Sequence, residues 1–218
     1  MICRGLGAIM AISGLDAIGQ RNGTDKSSTH HDYLRHYEAC LHAQRTPIKA
    51  LLEVGVYDGA SLRMWQEFLP DATIIGLDID PRCLAFANGN ATVQMVDQSD
   101  VQQLSRMAAA HGPFDVVIDD GSHIWSHQIL TFETLFPHVV SGGLYVIEDM
   151  DTSYGDFATH YGQDSTMTAA QYVLKLASYV LGATAANLPA EPDMRMRSFV
   201  PEIESITVVR RCAMIRRK

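Results

Sequence analysis

Cysteine and basic residues are both scarce in this chain of 218 residues. The four cysteines, Cys3, Cys40, Cys83 and Cys212, stand far apart without a C-x-x-C pair, which excludes a zinc framework and a dithiol redox pair. Lys and Arg total 17 against 25 Asp and Glu, so the formal net charge is −8. Because binding to a phosphate backbone needs a basic face, no nucleic-acid partner is expected. The cysteine usage fits a reduced, cytoplasmic setting.

A long apolar run is also missing, so no membrane span is expected. The best candidate, Gly5 to Leu15, ends at Asp16 without a small-residue cleavage pattern, which disfavours a secretion signal. A first helix that packs on the domain or on a second subunit is the preferred interpretation. We therefore predict a helical cover over residues 1–48, one globular domain over 49–218 and a homo-oligomer.

Short β-branched runs alternate with amphipathic segments through the middle of the chain, a pattern typical of a parallel sheet covered by helices. The predicted strands are Ala50 to Gly55, Thr73 to Asp78, Thr92 to Val96, Phe114 to Asp119 and Gly143 to Asp149. The predicted helices are Ser61 to Phe68, Arg82 to Ala87, Val101 to Ala110, Trp125 to Phe136 and Ala169 to Leu181. Five β-α units follow from this alternation.

The end of the chain breaks the alternation. Ile203 to Val209 and Cys212 to Ile215 are separated by two arginines only, which is too short for a parallel crossover and predicts an antiparallel hairpin. An α/β sheet of the doubly wound, Rossmann-like type that ends in such a hairpin is the outline of a class I methyltransferase fold. The segment 152–201 before the hairpin is predicted to be an insertion, either a lid over the site or a surface decoration.

The glycines after the first strand indicate the kind of cofactor. Gly55 and Gly59 lack the central glycine of G-x-G-x-x-G, through which a backbone approaches a pyrophosphate. S-adenosylmethionine has no pyrophosphate, and the acidic Glu53 suits its ammonium and sulfonium groups. Asp78 ends the second strand, where a carboxylate can bind ribose hydroxyls, with Asp80 as a nearby competitor.

Polar residues at later strand ends extend this set, because ligands of open α/β sheets bind at the carboxyl ends of the strands. Asp97 and Gln98 after the third strand suit an adenine edge, although a single strand-end carboxylate more often caps a helix or a turn. Asp119 and Asp120 stand at the end of the fourth predicted strand, and Glu148 and Asp149 at the end of the fifth. Oxygen ligands without nearby cysteine favour a hard cation such as Mg²⁺, and the alternative is a solvated acidic rim.

His123 follows Asp120 by three residues, which predicts an imidazole beside the metal that acts as a general base on a substrate hydroxyl. His127 and His138 are predicted to lie on helix surfaces. His30 and His31 either fold over a ligand or cap a helix.

Several segments together resemble the metal-dependent sugar O-methyltransferases of macrolide and polyketide tailoring, of the mycinamicin type, with the cephalosporin-hydroxylase-like group nearby. These segments are Gly23 to Tyr37, Leu51 to Asp80, Val96 to Asp100, Ile118 to His123 and Leu135 to Tyr154. The resemblance implies Mg²⁺ held by Asp120, Glu148 and Asp149, with His123 as the base. It also implies S-adenosylmethionine contacts from Thr24, Asp25, Glu53, Gly55, Ser61, Asp78 and Gln98, to which the strand ends add Asp97 and Asp119.

The predicted function is methyl transfer from S-adenosylmethionine, with Mg²⁺, to a hydroxyl of a sugar or glycosylated natural product, with Asp120 and His123 as catalytic residues. A catechol-like or other vicinal diol is the alternative acceptor, since the same chelation would serve it. A nicotinamide oxidoreductase is disfavoured by the glycine spacing. A domain that binds nucleoside or metal without turnover, as a partner in a biosynthetic cluster, is the alternative from another class.

Overall fold

The computed structural model describes residues 14–44, 46–163, 165–182 and 194–218 of the chain. Its centre is a seven-stranded sheet in the order β3-β2-β1-β4-β5-β7-β6. The strands are β1 (Ala50–Val54), β2 (Thr73–Asp78), β3 (Ala91–Met95), β4 (Phe114–Asp119), β5 (Val139–Ile147), β6 (Ile203–Val209) and β7 (Cys212–Arg217). The first five strands run parallel, and β7 pairs antiparallel with both β5 and β6.

Helices cover both faces of this sheet. They are α1 (Leu15–Asn22), α2 (Leu34–His42), α3 (Ala60–Phe68), α4 (Val101–His111), α5 (Trp125–Leu135), α6 (Ala158–Tyr161), α7 (Ala169–Val180) and α8 (Met194–Phe199). On one face, a core that includes Trp65 and Tyr37 packs α1, α2 and α3 against the sheet. On the other, Phe132 and Tyr172 belong to a core that α4, α5 and α7 build with β5. No helix in the described ranges has the length and apolar character needed to cross a membrane.

The strand order places a ligand site at one edge of the sheet. The chain moves outward from β1 through β2 to β3 and then returns to the other side of β1 as β4. Helices that leave in opposite directions open a crevice at such a reversal, and the carboxyl ends of all five parallel strands meet there. The loops after Val54 and Asp119, which are register partners in β1 and β4, therefore face each other.

The predicted fold class and the C-terminal hairpin are confirmed, with two local differences. The segment predicted as a helix from Arg82 is a 3-10 helix, Pro81–Phe86, because Pro81 starts it and the Asp80 side chain accepts a hydrogen bond from Arg82 N. Strand β5 begins at Val139, four residues before the predicted start, since Gly142 and Gly143 resemble a turn in sequence.

The N-terminal cover and the predicted insertion are described in part. Helices α1 and α2 lie within the predicted cover, whereas residues 1–13, with most of the apolar run, fall outside the described residues. Within the insertion, α7 starts with a capping box at Thr168 and buries Val173 and Leu176 in the core, so this part is a structural layer. Residues 183–193 of the insertion are not among those described.

Candidate active site at the carboxyl ends of the strands

The loop after β1 requires the glycine that the sequence places there. Gly55 has φ of +94°, and a Cβ at this position would lie 2.0 Å from the carbonyl oxygen of Asp120. Any side chain would therefore push apart the two loops that meet at the strand reversal. The close approach brings the residues after β1 and those after β4 to one site.

A cavity of about 740 Å³ opens on the β1–β3 side of this contact; we call it the large cavity. It is lined by four residues of the predicted cofactor set, Gly55, Asp78, Asp97 and Gln98, together with Asp80, Phe86, Ser122 and His127 among others. Tyr57 and Ile79 line it with side chains that are 88% and 65% exposed. Exposed apolar surface at a cavity wall is typical of a site that binds a planar, partly apolar ligand.

Asp78 ties the glycine loop to the end of β2. Its Oδ2 accepts hydrogen bonds from Val56 N at 2.9 Å and Tyr57 N at 3.1 Å, and its Oδ1 accepts one from Asp80 N at 2.8 Å. Although burial raises the pKa of Asp78, these backbone donors outweigh it and hold the pKa below its ordinary value. Asp78 is therefore an ionised acceptor at the cavity wall, whereas the carboxylate of the competing Asp80 is paired with Arg82.

Gln98 and Asp119 support the same wall from below. Gln98 donates through Nε2 to Asp119 at 2.6 Å and accepts through Oε1 from Ser122 N at 2.9 Å, so both ends of its amide are engaged. Asp119 is fully buried and lines neither the large cavity nor the cavities described below. Burial raises the pKa of Asp119 to about 8. The structure thus places Asp119 behind Gln98.

A second cavity of about 280 Å³, the small cavity, continues from the large one toward the N-terminal segment. Both cavities are bordered by Gly55, Tyr57, Asp58, Asp120 and Gly121. The small cavity is also lined by five predicted residues, Thr24, Asp25, Ser61, His123 and Asp149. Glu53 lies beneath it with no exposed surface, where its Oε2 accepts a hydrogen bond from Ser61 at 2.7 Å.

Three side chains of types that can hold a metal ion meet at the floor of the small cavity. Asp120, His123 and Asp149 each offer one ligand atom, and these atoms lie within 4.8 Å of one another. His123 Nε2 is 3.5 Å from Asp149 Oδ2 and 3.9 Å from Asp120 Oδ1. Both His123 and Asp149 have positive φ, of 57° and 51°. Left-handed backbone at non-glycine residues costs about 1–3 kcal/mol and is concentrated at functional sites.

Glu148, the remaining predicted metal ligand, faces another way. It is buried, and its Oε1 accepts a hydrogen bond from the Tyr37 hydroxyl at 2.6 Å. Its Oε2 accepts one from the Lys26 ammonium at 3.0 Å. Burial and the neighbouring Asp120 carboxylate raise the pKa of Glu148 well above its ordinary value, and Lys26 opposes this. In this structure Glu148 is thus bound to protein groups on both oxygens.

Other residues around the acidic groups were not predicted from the sequence. Lys26 contacts both Asp120 and Glu148, and Tyr33 donates to Asp149 Oδ1 at 2.6 Å. Arg211, at the tip of the β6–β7 hairpin, lies 3.6 Å from the same oxygen. The sequence did contain a signal for Lys26 and Tyr33, since both lie within the segment Gly23 to Tyr37 that carries the resemblance. Arg211 gave no local signal.

Two further histidines lie near these groups. His127, predicted to lie on a helix surface, lines the large cavity, because α5 starts at Trp125 and points its first turn toward the loop after β4. Its Nδ1 lies 2.9 Å from the Ser122 hydroxyl. His31, whose role over a ligand or as a helix cap stays open, lies with Nδ1 3.5 Å from Asp149 Oδ1.

A third cavity, of about 420 Å³, lies against the β6–β7 hairpin and α7; we call it the hairpin cavity. Most of its lining is apolar, from Met150, Ala170, Val173, Leu174, Val208 and Val209. Arg211 and Asp151 also line it, and Arg211 Nε lies 2.9 Å from Asp151 Oδ2. Because Arg211 also reaches Asp149, the hairpin cavity adjoins the acidic floor of the small cavity.

The donor set fits a hard divalent cation and an adenosyl cofactor. Asp120 and Asp149 supply carboxylate oxygens of the kind that Mg²⁺ prefers, and the acidic surroundings favour a positive charge. The His123 Nδ1 atom is buried without a hydrogen-bond partner in the described part of the chain. The joined cavities offer an apolar wall and an ionised carboxylate, Asp78, at one end and acidic groups at the other.

Comparison with known proteins is consistent with this geometry. Residues 52–150 match the family Methyltransf_24, described as a methyltransferase domain. Mycinamicin VI 2''-O-methyltransferase from Micromonospora griseorubida is 43% identical over 147 residues, which cover 64% of this chain and 37% of that protein. The 8-demethyl-8-alpha-L-rhamnosyl tetracenomycin-C 2'-O-methyltransferase from Streptomyces olivaceus is 37% identical over 194 residues, covering 84% of this chain and 51% of that protein.

Solved structures give the same assignment. The MycE methyltransferase of the mycinamycin biosynthetic pathway, in complex with Mg, SAH and mycinamycin VI, superposes with a TM-score of 0.78 at 33% identity. The match covers 94% of this chain and 53% of that one. The chain thus spans about half the length of this structure, and between 37 and 51% of the two curated relatives.

The fold and the strand-end site define residues 52–150 as a domain of the methyltransferase class. Within that class, the chain is similar to sugar O-methyltransferases that act on glycosylated natural products, so the resemblance predicted from its motifs is confirmed.

Proposed function

We propose that the protein is an S-adenosylmethionine- and Mg²⁺-dependent O-methyltransferase that acts on a sugar hydroxyl of a glycosylated natural product. The observation that carries the proposal is the convergence of Asp120, His123 and Asp149 at the floor of a cavity continuous with the large cavity. A methyl donor and an activated hydroxyl must meet within bonding reach, and this junction is where the two cavities join.

The donor is assigned to the two joined cavities. Its adenosine part belongs in the large cavity, with Asp78 as acceptor for the ribose hydroxyls and the exposed faces of Tyr57 and Ile79 beside the base. Its methionine part belongs in the small cavity, beside Thr24, Asp25 and Ser61. This direction brings the sulfonium toward the loop after β4, where Asp120 begins the acidic floor.

The reacting hydroxyl is assigned to the acidic floor. Asp120 and Asp149 would hold Mg²⁺, and the third predicted ligand, Glu148, stands behind the Lys26 ammonium. When bound, the ion supplies Lewis acidity that lowers the pKa of a coordinated hydroxyl. His123 accepts the hydroxyl proton at its imidazole, and Asp149, 3.5 Å away, stabilises the imidazolium that forms. Tyr33 and Arg211 keep Asp149 in position through its Oδ1.

The hairpin cavity supports an acceptor with an apolar part. A sugar held at Asp149 would project its aglycone across Arg211 toward Met150, Val173 and Val208. One relative named above is the 2'-O-methyltransferase of a rhamnosyl tetracenomycin-C, an acceptor in which a sugar is attached to an aglycone. A small catechol would leave this apolar lining unfilled, which favours the glycosylated acceptor over the diol.

Methyl transfer from radiolabelled S-adenosylmethionine to a panel of glycosides and simple catechols tests the proposal. We expect turnover with a glycoside, its loss in EDTA and its recovery with Mg²⁺. Calorimetry with S-adenosylhomocysteine and with NADH distinguishes the methyltransferase from an oxidoreductase. Full turnover in EDTA, without metal in elemental analysis, would make the carboxylates an ordinary acidic rim.

A further inference from the structure

Lys26 is a buried cation at the centre of the acidic site, without a part in the methyl transfer described above. Its side chain is 1% exposed, and its ammonium contacts Asp120 Oδ2 and, at 3.0 Å, Glu148 Oε2. Burial lowers the pKa of Lys26, but the surrounding carboxylates outweigh it and hold the pKa well above its ordinary value. The side chain is therefore a fixed positive charge on two oxygens of predicted metal ligands.

A third carboxylate, that of Glu53, lies near this ammonium. Glu53 Oε1 lies 3.6 Å from Lys26 Nζ and is buried without a hydrogen-bond partner among the described residues. A buried acceptor without a partner destabilises the folded protein. A shift of the ammonium by about 1 Å toward Glu53 would reach the 2.7–2.9 Å of a charge-assisted hydrogen bond. Glu53 thus offers a second place for the ammonium.

The charges around Lys26 match a divalent cation. Burial raises the pKa of Glu53 to about 7 and that of Glu148 well above its ordinary value. With all three groups ionised, Glu53, Asp120 and Glu148 carry three negative charges against the single ammonium, which leaves two in excess. A divalent cation neutralises this excess only if Asp120 and Glu148 are free to face it. Because an ammonium and a metal ion repel each other at short distance, both cannot occupy the same carboxylate oxygens.

We propose that Lys26 is a built-in counter-ion that a divalent cation displaces: on metal binding, the ammonium leaves Asp120 and Glu148 for Glu53. Glu53 thereby acts as a positioning residue, which sets the metal affinity without touching the metal. The inference rests on the proposed function, because it takes the carboxylates to be metal ligands. It accounts for the orientation of Glu148 and for the unpaired oxygen of Glu53.

A double-mutant cycle distinguishes this exchange from simple electrostatic attraction. The probe is Mn²⁺, measured by electron paramagnetic resonance with Mg²⁺ as competitor and without cofactor, on wild type, Glu53→Gln, Lys26→Met and the double variant. If Glu53 acts only through its own negative charge, Glu53→Gln weakens metal binding equally with or without Lys26. If it acts by receiving the ammonium, the effect requires Lys26.

We expect Glu53→Gln to weaken binding about tenfold in the presence of Lys26 and less than about twofold in the Lys26→Met background. Lys26→Met alone should bind the metal at least as tightly as wild type, because the competing cation is gone. Lys49→Met, on an exposed lysine, is the charge-matched control and should leave the affinity unchanged. Additive effects, or weaker metal binding in a folded Lys26→Met protein, would overturn the exchange.

A measurement on the wild-type protein covers the case in which Lys26→Met does not fold. The chain has four lysines, Lys26, Lys49, Lys175 and Lys218, and of these only Lys26 is buried. With ¹⁵N-labelled lysine, its slowly exchanging ammonium should give a distinct signal that shifts on saturation with Mg²⁺. An unmoved signal at saturation contradicts the exchange alone, whereas a wild-type protein that binds no divalent cation contradicts the proposed function as well.

Discussion

The site at the carboxyl ends of the parallel strands has two halves, which hold their acidic side chains in different ways. On the β1–β3 half, Asp78 is satisfied by backbone N–H groups of residues close to it in space and within 22 positions in sequence. On the β4–β5 half, Asp149 and Glu148 are satisfied by the hydroxyls of Tyr33 and Tyr37, which lie 116 and 111 positions earlier. Lys26 reaches Asp120 across 94 positions.

This difference separates a binding surface from a reacting one. Backbone donors are fixed by the strands and leave Asp78 ionised and ready to accept from a ligand. Side-chain partners on a separate segment can move relative to the carboxylates, and they bring hydroxyls and a positive charge into a buried place. The N-terminal segment that contributes Lys26, Tyr33 and Tyr37 thus completes the reacting half, and it also adds Thr24 and Asp25 to the lining of the small cavity.

The largest expected effect falls on the reacting half, at His123. Because the imidazole accepts the proton of the substrate hydroxyl, His123→Ala should lower kcat by on the order of 10²–10⁴-fold. Cofactor affinity, measured by calorimetry with S-adenosylhomocysteine, should change little. His111→Ala, on an exposed histidine of α4, is the matched control. A fully active His123→Ala enzyme would show that metal activation suffices, and loss of metal binding would make His123 a ligand.

The contrast between the halves also explains what the sequence could predict. Strand ends such as Asp78 and Asp119 follow from local β-branched runs, and both ends agree with the structure. Gly55 follows from the need for a tight turn. The partners of Glu148 depend instead on how α2 and the segment before it pack on the sheet, which no local pattern encodes. The position of Arg211 beside Asp149 depends on the same long-range packing. The position of His127 at the large cavity depends on the direction of the first turn of α5.

A second prediction tests whether removing one negative charge from the reacting half affects metal binding without affecting cofactor binding. Asp149→Asn removes one of the carboxylates that meet at the floor of the small cavity, so Mn²⁺ affinity should fall about tenfold or more. The affinity for S-adenosylhomocysteine should stay within about threefold of wild type, because Asp78 lies on the other half. Asp156→Asn, at an exposed position in the segment that follows, is the control. An equal loss of both ligands would mean that the halves are one coupled unit.

The third prediction addresses the cofactor half. Asp78→Ala removes the ionised acceptor at the wall of the large cavity and should weaken S-adenosylhomocysteine binding by about 1.5–3 kcal/mol. Mn²⁺ affinity without cofactor should remain that of wild type. Asp80→Ala is the informative comparison, because its carboxylate pairs with Arg82 and should matter less for binding. If Asp80→Ala has the larger effect in calorimetry, the ribose role belongs to Asp80.

The smallest expected effect concerns the hydrogen bonds that hold α1 to the N-terminal segment. Asp16 accepts from the Ser28 backbone and hydroxyl, each at 2.7 Å, and from Gln20 at 2.9 Å. Although burial raises the pKa of Asp16, these donors hold it below its ordinary value. A lowered pKa means that the stabilisation is present above the unfolded-state value and is lost as the pH falls through the folded-state value. Since Asp16 is largely solvated, Asp16→Ala should reduce the free energy of unfolding by no more than about 1 kcal/mol at pH 7.

Urea unfolding of wild type and Asp16→Ala across pH 7 to pH 3 measures this difference. It should be constant down to about pH 4 and shrink below it, as protonation removes the ionised acceptor from the wild type. Asp71→Ala, at an exposed position, is the control. A difference that persists unchanged at pH 3 would mean that Asp16 stabilises the cover by packing alone. Loss of Mn²⁺ binding in Asp16→Ala, with little loss of cofactor binding, would tie these contacts to the reacting half that Lys26 completes.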